Sequence, residues 1–302
     1  MSSKTPISAD RLAPEDLIDA LKLAGNGLRP ISGGTDLLIR QHSIQKSESH
    51  NLVKKQKNGF KPIFYAGRIK ELCSINICGG SLRIGSGVTL TGIIEYPGCP
   101  PLLREALESI ASPGIRNLAT LTGNICNASP AGDSLPVLYI LDALIETASI
   151  DDAGSIVGRK IPIADFITGP GRTSLKENEL VTSVSFTIPE DYSGIFRKVG
   201  TRAANALSKL SIASVSSTGG EVIADFRLAV GACGPTVIRC PQAEKILNDC
   251  NISDIKAQIK DILSIYSAAL SPIDDQRSTA EYRKNTALRI IENIILETGG
   301  IL

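Results

Sequence analysis

Two polar segments of the chain carry the residue types that could bind a large anionic ligand. They are Ser32-Gly33-Gly34-Thr35-Asp36-Leu37-Leu38 (the first segment) and Thr120-Leu121-Thr122-Gly123-Asn124-Ile125-Cys126-Asn127-Ala128-Ser129-Pro130-Ala131-Gly132-Asp133 (the second segment). Both are dense in glycine, small hydroxyl residues and asparagine, and both lie between apolar stretches, where such residues can expose backbone N–H groups. We therefore predict that the two segments line one ligand site.

The first segment has the chemistry of an anion-binding turn. Gly33 and Gly34 lack Cβ atoms, so the backbone can turn sharply and approach a ligand closely. If a helix begins at Thr35 or Asp36, its free N–H groups also face the turn and could hold a pyrophosphate. A Gly-Gly-Thr turn between a strand and a helix also occurs without any ligand, and the segment is neither a G-x-G-x-x-G nor a P-loop sequence.

The second segment adds side chains that can form hydrogen bonds with a ligand. These side chains are Thr120, Thr122, Asn124, Asn127 and Ser129. Gly123 and Gly132 permit close backbone approach, and the carboxylate of Asp133 suits a ribityl or ribose hydroxyl better than a phosphate. Taken alone, this composition fits a ligand-binding segment and a polar surface loop equally well.

Three cations are candidates for pairing with an anionic ligand. Arg116 precedes the second segment, and Arg197 and Lys198 lie in a later strand candidate. A cation there could pair with a phosphate or stabilise a reduced, anionic ring, although basic residues near strand ends are often simply solvated. No Ser-His-Asp set, paired carboxylates or activated cysteine has a suitable spacing, so we predict no catalytic side chain. Reactivity would then belong to a bound cofactor.

Composition excludes several classes of partner. The 302 residues are 42% apolar and 21% charged, and 32 Lys plus Arg against 31 Asp plus Glu leave a net charge of +1. This balance, with 4% aromatic residues and no tryptophan, predicts no nucleic-acid partner and no attraction to a membrane. The N-terminal residues do not resemble a secretory signal, and we expect a cytoplasmic protein. Seven scattered cysteines and two histidines predict reduced thiols and no metal site.

Periodicity and turn residues predict a mixed α+β chain of two domains. The N-terminal domain (1–176, with subdomains of about 1–60 and 61–176) has a helix from Pro14, a strand at 28–32, short strands to residue 86, a helix at 101–111 and a hairpin at 143–160. Residues 41–61 are expected to form an exposed loop. The C-terminal domain (177–302) has strand candidates at 180–189, 194–199, 210–217 and 221–233 and then three helices, with apolar stripes Ile252, Ile255, Ile259, Ile262, Tyr266 and Leu288, Ile291, Ile295.

At these residues the chain resembles the FAD-binding (medium) subunit of the molybdenum hydroxylases, the group of xanthine dehydrogenase, carbon monoxide dehydrogenase and nicotinate dehydrogenase. The resemblance spans nearly the whole chain. The second segment carries it most specifically, and the first segment, Phe196-Arg197-Lys198-Val199-Gly200-Thr201-Arg202 and Asp274-Asp275-Gln276-Arg277-Ser278-Thr279-Ala280-Glu281-Tyr282-Arg283 are further markers. It implies a two-subdomain FAD-binding domain of the vanillyl-alcohol-oxidase (PCMH) type, followed by a C-terminal antiparallel sheet with helices.

The resemblance also implies the roles of the site residues. Residues Ile31, Ser32, Gly33, Gly34, Thr35 and Asp36 would wrap the FAD pyrophosphate, and the rest of the cofactor would contact Thr120, Gly123, Asn124, Asn127, Ser129 and Asp133. Arg197 or Lys198 would lie near the isoalloxazine, and the adjacent pair leaves open which of them does.

Family members work in complexes, so the resemblance implies partners as well. It implies a molybdopterin-binding large subunit, a [2Fe–2S] small subunit, and NAD or another acceptor for the electrons. The expected substrate of the complex is a purine or another N-heterocycle. The alternative is a stand-alone FAD-dependent oxidoreductase acting on its own small substrate. The segment 41–61 is longer than the connection usual in the family, and it contains no cysteine that could bind an added iron–sulfur cluster.

Overall fold

The computed structural model describes residues 12–39, 62–202 and 205–301. The predicted exposed loop at 41–61 lies outside these residues. The N-terminal elements are α1 (Leu17–Gly25), β1 (Arg29–Ile31), β2 (Ile63–Tyr65), a 3₁₀ turn (Lys70–Leu72), β3 (Ile75–Cys78), β4 (Ser81–Gly85), α2 (Leu90–Ile94), α3 (Pro101–Glu108), α4 (Pro113–Arg116), α5 (Leu121–Asn127), α6 (Ser134–Ile140), β5 (Leu144–Ile150), β6 (Ile156–Pro162), α7 (Ile163–Phe166), β7 (Ile167–Gly169), β8 (Arg172–Thr173) and β9 (Leu180–Thr187). The C-terminal elements are β10 (Ser193–Val199), β11 (Leu210–Gly219), β12 (Val222–Gly231), β13 (Ile238–Arg239), α8 (Pro241–Leu247), a 3₁₀ turn (Ile252–Asp254), α9 (Ile255–Ala269) and α10 (Ala280–Thr298).

The first subdomain is a small parallel sheet covered by a helix. β1 and β2 pair in parallel, with Ile31 opposite Tyr65. The apolar face of α1 packs on the sheet through a cluster that includes Leu21 and Phe64, each 1% exposed. Since β2 begins at residue 63, this subdomain extends past residue 60, where the sequence placed its end.

The second subdomain is built on an antiparallel sheet of five strands in the order β3-β4-β9-β5-β6. β5 and β6 form the predicted hairpin. β9 lies between β4 and β5 and pairs with both. The strand therefore belongs to the N-terminal domain, and the predicted boundary at residue 176 is too early. The composition change that suggested this boundary marks the loop before β9 rather than a change of domain.

The C-terminal domain is an antiparallel sheet of four strands, β10-β11-β12-β13, with helices on one face. Side chains of β11 alternate between the two faces of this sheet. Leu210 and Ile212 belong to the core formed with α8, α9 and α10, whereas Ala213 and Val215 belong to the core that contains the N-terminal helices α3, α5 and α6. The face of this sheet that carries Ala213 and Val215 therefore packs on the N-terminal helices, and the two domains share one apolar core there.

The three predicted C-terminal helices are present as α8, α9 and α10. On α9, Ile255, Ile259, Ile262 and Tyr266 are all buried, as the predicted stripe requires. Ile252 lies in the preceding 3₁₀ turn. Among the helices of residues 12–39, 62–202 and 205–301, none is long and apolar enough to cross a membrane.

Candidate functional site

The first segment lies against the chain that enters the second segment. β1 ends at Ile31, whose carbonyl accepts a hydrogen bond from the Ala66 N–H at 2.8 Å. A Cβ atom at Gly33 would lie 1.9 Å from the carbonyl oxygen of Leu118, so only glycine permits this approach. The next residue, Gly34, has a φ of +65°. The structure thus places the first segment beside residues 118 and 119, immediately before the second segment.

The remaining residues of the first segment form a half-buried turn. Ser32, Thr35 and Asp36 are each partly accessible, and helical backbone follows at residues 37–39. The Leu38 N–H donates to the Gly34 carbonyl at 3.1 Å. The expected order of strand, glycine turn and helical turn is therefore present in the described residues.

The second segment begins as a helix rather than as a loop. Thr120 is the N-cap of α5, and its hydroxyl accepts a hydrogen bond from the Gly123 N–H at 3.0 Å. Such a cap satisfies one of the N–H groups that every helix leaves unpaired at its start. The helix ends at Ala128, which has a φ of +47°. The sequence reasoning missed the helix because Gly123 and the two asparagines are poor helix formers.

One buried atom of the second segment fits a polar ligand. The Thr122 hydroxyl is buried and has no hydrogen-bond partner in the described part of the chain. An unpaired buried hydroxyl costs free energy, which a ligand with a polar group can recover. Around it, Gly123 is exposed and Asn127 is half-buried. Asn124 is oriented by the Ser134 hydroxyl, which donates to its side-chain oxygen at 2.7 Å. These residues fit the polar groups of a flavin nucleotide.

Asp133 connects the second segment to the C-terminal domain. One of its carboxylate oxygens accepts from the Lys198 ammonium at 2.7 Å, and the other accepts from the Ser208 hydroxyl at 2.5 Å. The Lys198 ammonium also donates to the Ser109 carbonyl at 2.8 Å, at the end of α3. We call Ser109, Asp133, Lys198 and Ser208 the carboxylate network. It joins two helices of the N-terminal domain to β10 and to the loop before β11.

Burial dominates the electrostatics of this network. The side chains of Asp133 and Lys198 are 7% and 15% exposed. Burial raises the pKa of the Asp133 carboxyl, and the charge and hydrogen bond of Lys198, with the hydrogen bond of Ser208, offset only part of this rise. The ion pair therefore holds a carboxylate where water cannot solvate it.

Two other predicted cations are engaged away from the carboxylate network. Arg197 and Lys198 alternate on β10, so they lie on opposite faces, and Arg197 pairs with Glu297 of α10 at 3.3 Å. Arg116 donates to three backbone carbonyls at residues 108, 110 and 111. Of the adjacent pair that the sequence left open, only Lys198 lies beside the second segment.

Cys126 of α5 is not an activated thiol. Burial raises its pKa to about 12, and the positive charge of Arg29 on β1 lowers that value only in part. The thiol is therefore protonated near neutral pH and is a poor nucleophile.

Sequence reasoning missed Ser109 and Ser208 of the carboxylate network. Ser208 is 75 residues from its partner in the chain, and it lies outside every motif. The sequence feature nearest to Ser208 was the family marker at residues 196–202, which contains Lys198 and ends six residues before Ser208. Its contact with Asp133 depends on how the two domains pack, which no local pattern specifies.

Comparisons with known proteins agree with this architecture. Residues 8–190 match the family model of the FAD binding domain in molybdopterin dehydrogenase, and residues 195–298 match that of the CO dehydrogenase flavoprotein C-terminal domain. The first of these ranges includes β9 and ends three residues after it, in agreement with the assignment of this strand to the first domain.

Individual relatives cover most of the chain. The xanthine dehydrogenase FAD-binding subunit of Escherichia coli O157:H7 is 31% identical over 300 residues, covering 95% of this chain and 96% of that protein. The nicotine 6-hydroxylase medium subunit of Paenarthrobacter nicotinovorans is 31% identical and covers 78% of this chain and 81% of its own. A chain of the Cu,Mo-CO dehydrogenase crystal structure shares the fold, with a TM-score of 0.79 at 22% identity over 96% of this chain and 97% of that one. This protein therefore belongs to the family of FAD-binding subunits of molybdopterin dehydrogenases, and it is an FAD-containing oxidoreductase subunit of the molybdenum hydroxylase type.

Proposed function

We propose that the chain passes electrons from the [2Fe–2S] clusters of a small partner subunit, through its FAD, to NAD or another soluble acceptor. The clusters would in turn receive the electrons from a molybdopterin-binding large subunit, where the complex hydroxylates a purine or another N-heterocycle. The medium and FAD-binding subunits among the relatives support this proposal. The close approach of Gly33 to Leu118 carries it, because this contact places the first segment beside the chain that leads into the second segment.

In this proposal the first segment holds the pyrophosphate of FAD. Backbone N–H groups from Ile31 to Asp36 would donate to it, since these residues form a partly accessible glycine turn that leads into helical backbone. The rest of the cofactor would contact residues of the second segment, namely Thr120, Gly123, Asn124, Asn127, Ser129 and Asp133. Lys198 would lie near the isoalloxazine, where a cation favours the reduced, anionic form.

The described side chains of the site support electron transfer rather than substrate chemistry. Asp133 and Lys198 neutralise each other, and the Cys126 thiol is protonated. A flavoenzyme that acts on its own substrate usually needs a group that moves a proton to or from that substrate. The residues described at this site instead bind and orient, which is what an electron carrier requires.

The test begins with the full chain and its bound flavin. We expect denaturation of the purified protein to release FAD, and we expect NADH to bleach the flavin absorption of the native protein under anaerobic conditions. A threonine-to-valine variant tests the site itself. T122V removes the unpaired hydroxyl of Thr122 and should weaken FAD binding without lowering the stability of the chain. The same affinity in T122V and in the wild type would contradict the role of Thr122.

The stand-alone oxidoreductase is tested by the same preparation. Turnover of a small substrate by the isolated chain, without partner subunits, would support it and overturn the subunit proposal. Copurification with chains that contain molybdopterin and [2Fe–2S] clusters, together with activity on N-heterocycles only in that complex, would support the subunit proposal. A cytoplasmic location stays a prediction of the sequence.

A further inference from the structure

The small parallel sheet offers a second wall next to the first segment. Because β1 and β2 run in the same direction, their carboxyl ends lie at one edge. Ligands of open α/β sheets bind outside this edge. The first segment follows β1, and residues 66–69 follow β2. The proposed pyrophosphate turn therefore has the chain after β2 as its neighbour.

Tyr65 lies on the face of the sheet toward which the first segment folds. It is paired with Ile31 in the parallel register, so the two side chains are on the same face. A Cβ atom at Gly34 would lie 2.9 Å from the Cδ1 atom of Ile31, which places the glycine turn on that face as well. The ring of Tyr65 is 39% exposed, although its neighbour Phe64 is only 1% exposed.

The turn after β2 is shaped to hold this ring. A Cβ atom at Gly67 would lie 2.6 Å from the Tyr65 hydroxyl and 2.8 Å from its Cζ atom, so the ring of Tyr65 lies close against Gly67. The Cys73 thiol donates to the Gly67 carbonyl at 3.7 Å. Ile69, which is 0% exposed, anchors the end of the turn in the core.

Arg68 is the cation of this turn. Its guanidinium carbon lies 6.0 Å from the centroid of the Tyr65 ring. The side chain is exposed, and among the described residues no carboxylate pairs with it. By contrast, Lys198 is paired with Asp133, and Arg197 is paired with Glu297. An arginine held above an aromatic ring by a cation–π contact keeps its N–H donors free for a phosphate.

We infer that Arg68, which lies above the ring of Tyr65, binds the adenosine diphosphate group of FAD. The guanidinium donates to a phosphate oxygen held by the first segment, and the exposed ring of Tyr65 covers an apolar part of the same group. The inference rests on the proposed site and assigns residues that the two polar segments do not include. NAD carries the same chemical group, so the test distinguishes the two nucleotides.

The experiment compares the affinities of FAD and riboflavin for the full chain after removal of its flavin. Riboflavin lacks the adenosine diphosphate group, so its binding should be the same in R68A and in the wild type. FAD binding should be weaker in R68A by about ten- to a hundredfold, which is the effect expected for a charge-assisted hydrogen bond. R68K should lose part of this affinity, because it keeps the charge without the planar donors. Y65L should also weaken FAD binding and leave riboflavin binding unchanged.

Lys70 supplies the matched control, since it is an exposed cation two residues further along the same turn. K70A should leave FAD affinity unchanged. If K70A and R68A lost the same FAD affinity, any nearby positive charge would explain the effect, and the inference would be overturned. Unchanged FAD affinity in R68A would overturn it too, as would weaker NADH binding with FAD binding intact. If the wild-type chain bound riboflavin but gained nothing from the adenosine diphosphate group, the proposed pyrophosphate site itself would fail.

Discussion

Breaking the Asp133–Lys198 pair should destabilise the whole chain, because both side chains are buried where the domains meet. The change is K198M, which removes the ammonium and keeps most of the apolar stem. Asp133 then retains only the Ser208 hydroxyl as a described partner, with 7% of its side chain exposed. D133N is the reciprocal change. It leaves a charged Lys198 that still donates to the Ser109 carbonyl.

The geometry sets the magnitude of the effect. Two unit charges separated by 2.7 Å attract by about 6 kcal/mol at an effective dielectric constant of about 20, and desolvation offsets part of this gain. Removing one partner of a buried pair costs about 3–5 kcal/mol, because the other charge stays buried. We expect K198M to lose about 4 kcal/mol of unfolding free energy. D133N should lose less, since Lys198 is more exposed and keeps a carbonyl. The K198M/D133N double variant should lose less than the sum of the two.

The loss in K198M should also depend on pH. Burial already raises the pKa of Asp133, and removing Lys198 raises this pKa further. A group whose pKa is higher in the folded state stabilises the protein below its unfolded pKa and loses that contribution as pH rises through its folded pKa. The deficit of K198M relative to the wild type should therefore be larger at pH 8 than at pH 5.

Urea unfolding of the flavin-free chain, followed by circular dichroism, measures these free energies. Bound FAD is removed first, because a ligand that binds only the folded state adds its own stability. The matched control is K22M. Lys22 and Asp19 form an ion pair of 3.0 Å on α1, but their side chains are 61% and 60% exposed. We expect that change to cost about 0.5 kcal/mol or less. If K198M cost no more than K22M, the reasoning about the buried pair would be refuted.

Three further experiments test other parts of the structure. G33A should lose at least about 2 kcal/mol of stability and its FAD, since the added Cβ would meet a backbone carbonyl at 1.9 Å; G114A, with no atom within 4 Å, should be as stable as the wild type in the same urea titration and keep its flavin. T120V should lower the free energy of unfolding by about 1 kcal/mol, because it removes the cap of α5, whereas T122V should leave this free energy unchanged. Thermal unfolding of the two flavin-free variants measures the difference. Equal loss of stability in both would contradict the capping role of Thr120. Glu179 forms an ion pair with Arg159 at 2.7 Å. Burial raises the pKa of Glu179, but the hydrogen bonds and charge of Arg159 outweigh burial and bring this pKa below its ordinary value of 4.5. The ion pair therefore stabilises the protein above pH 4.5, and this contribution is lost as pH falls through the lower pKa of the folded state. Acid unfolding should show a shallower loss of stability in E179Q, and identical acid profiles would refute this assignment.

Local patterns were sufficient to predict most of the elements. The stripe on α9 and the hairpin of β5 and β6 follow from side-chain periodicity and turn residues, which are properties of neighbouring residues. The second segment was recognised as polar and glycine-rich, but its first half proved to be the helix α5. The Thr120 cap starts this helix, and the buried Leu121 and Ile125 hold it against the core.

Long-range pairing accounts for what the sequence could not predict. β9 has the pattern of a strand, yet only its pairing with β4 and β5 shows that it belongs to the first domain. Arg197 and Lys198 are adjacent in the sequence, and the packing of β10 decides which faces the second segment. Ser208 could not be predicted as a site residue for the same reason, because its hydrogen bond to Asp133 forms only when the two domains pack together.

The alternation of β11 limits how this chain can be divided or recombined. Phe196, Ala213, Val215 and Ala229 of the C-terminal sheet are buried against the N-terminal helices. A fragment that began at residue 193 would expose this apolar surface to water and would tend to aggregate. Chimaeras that exchange C-terminal domains between relatives would have to preserve the opposite surface on α3 and α6. The two family domains are therefore distinct in sequence, and we expect them to unfold together because they share this buried contact.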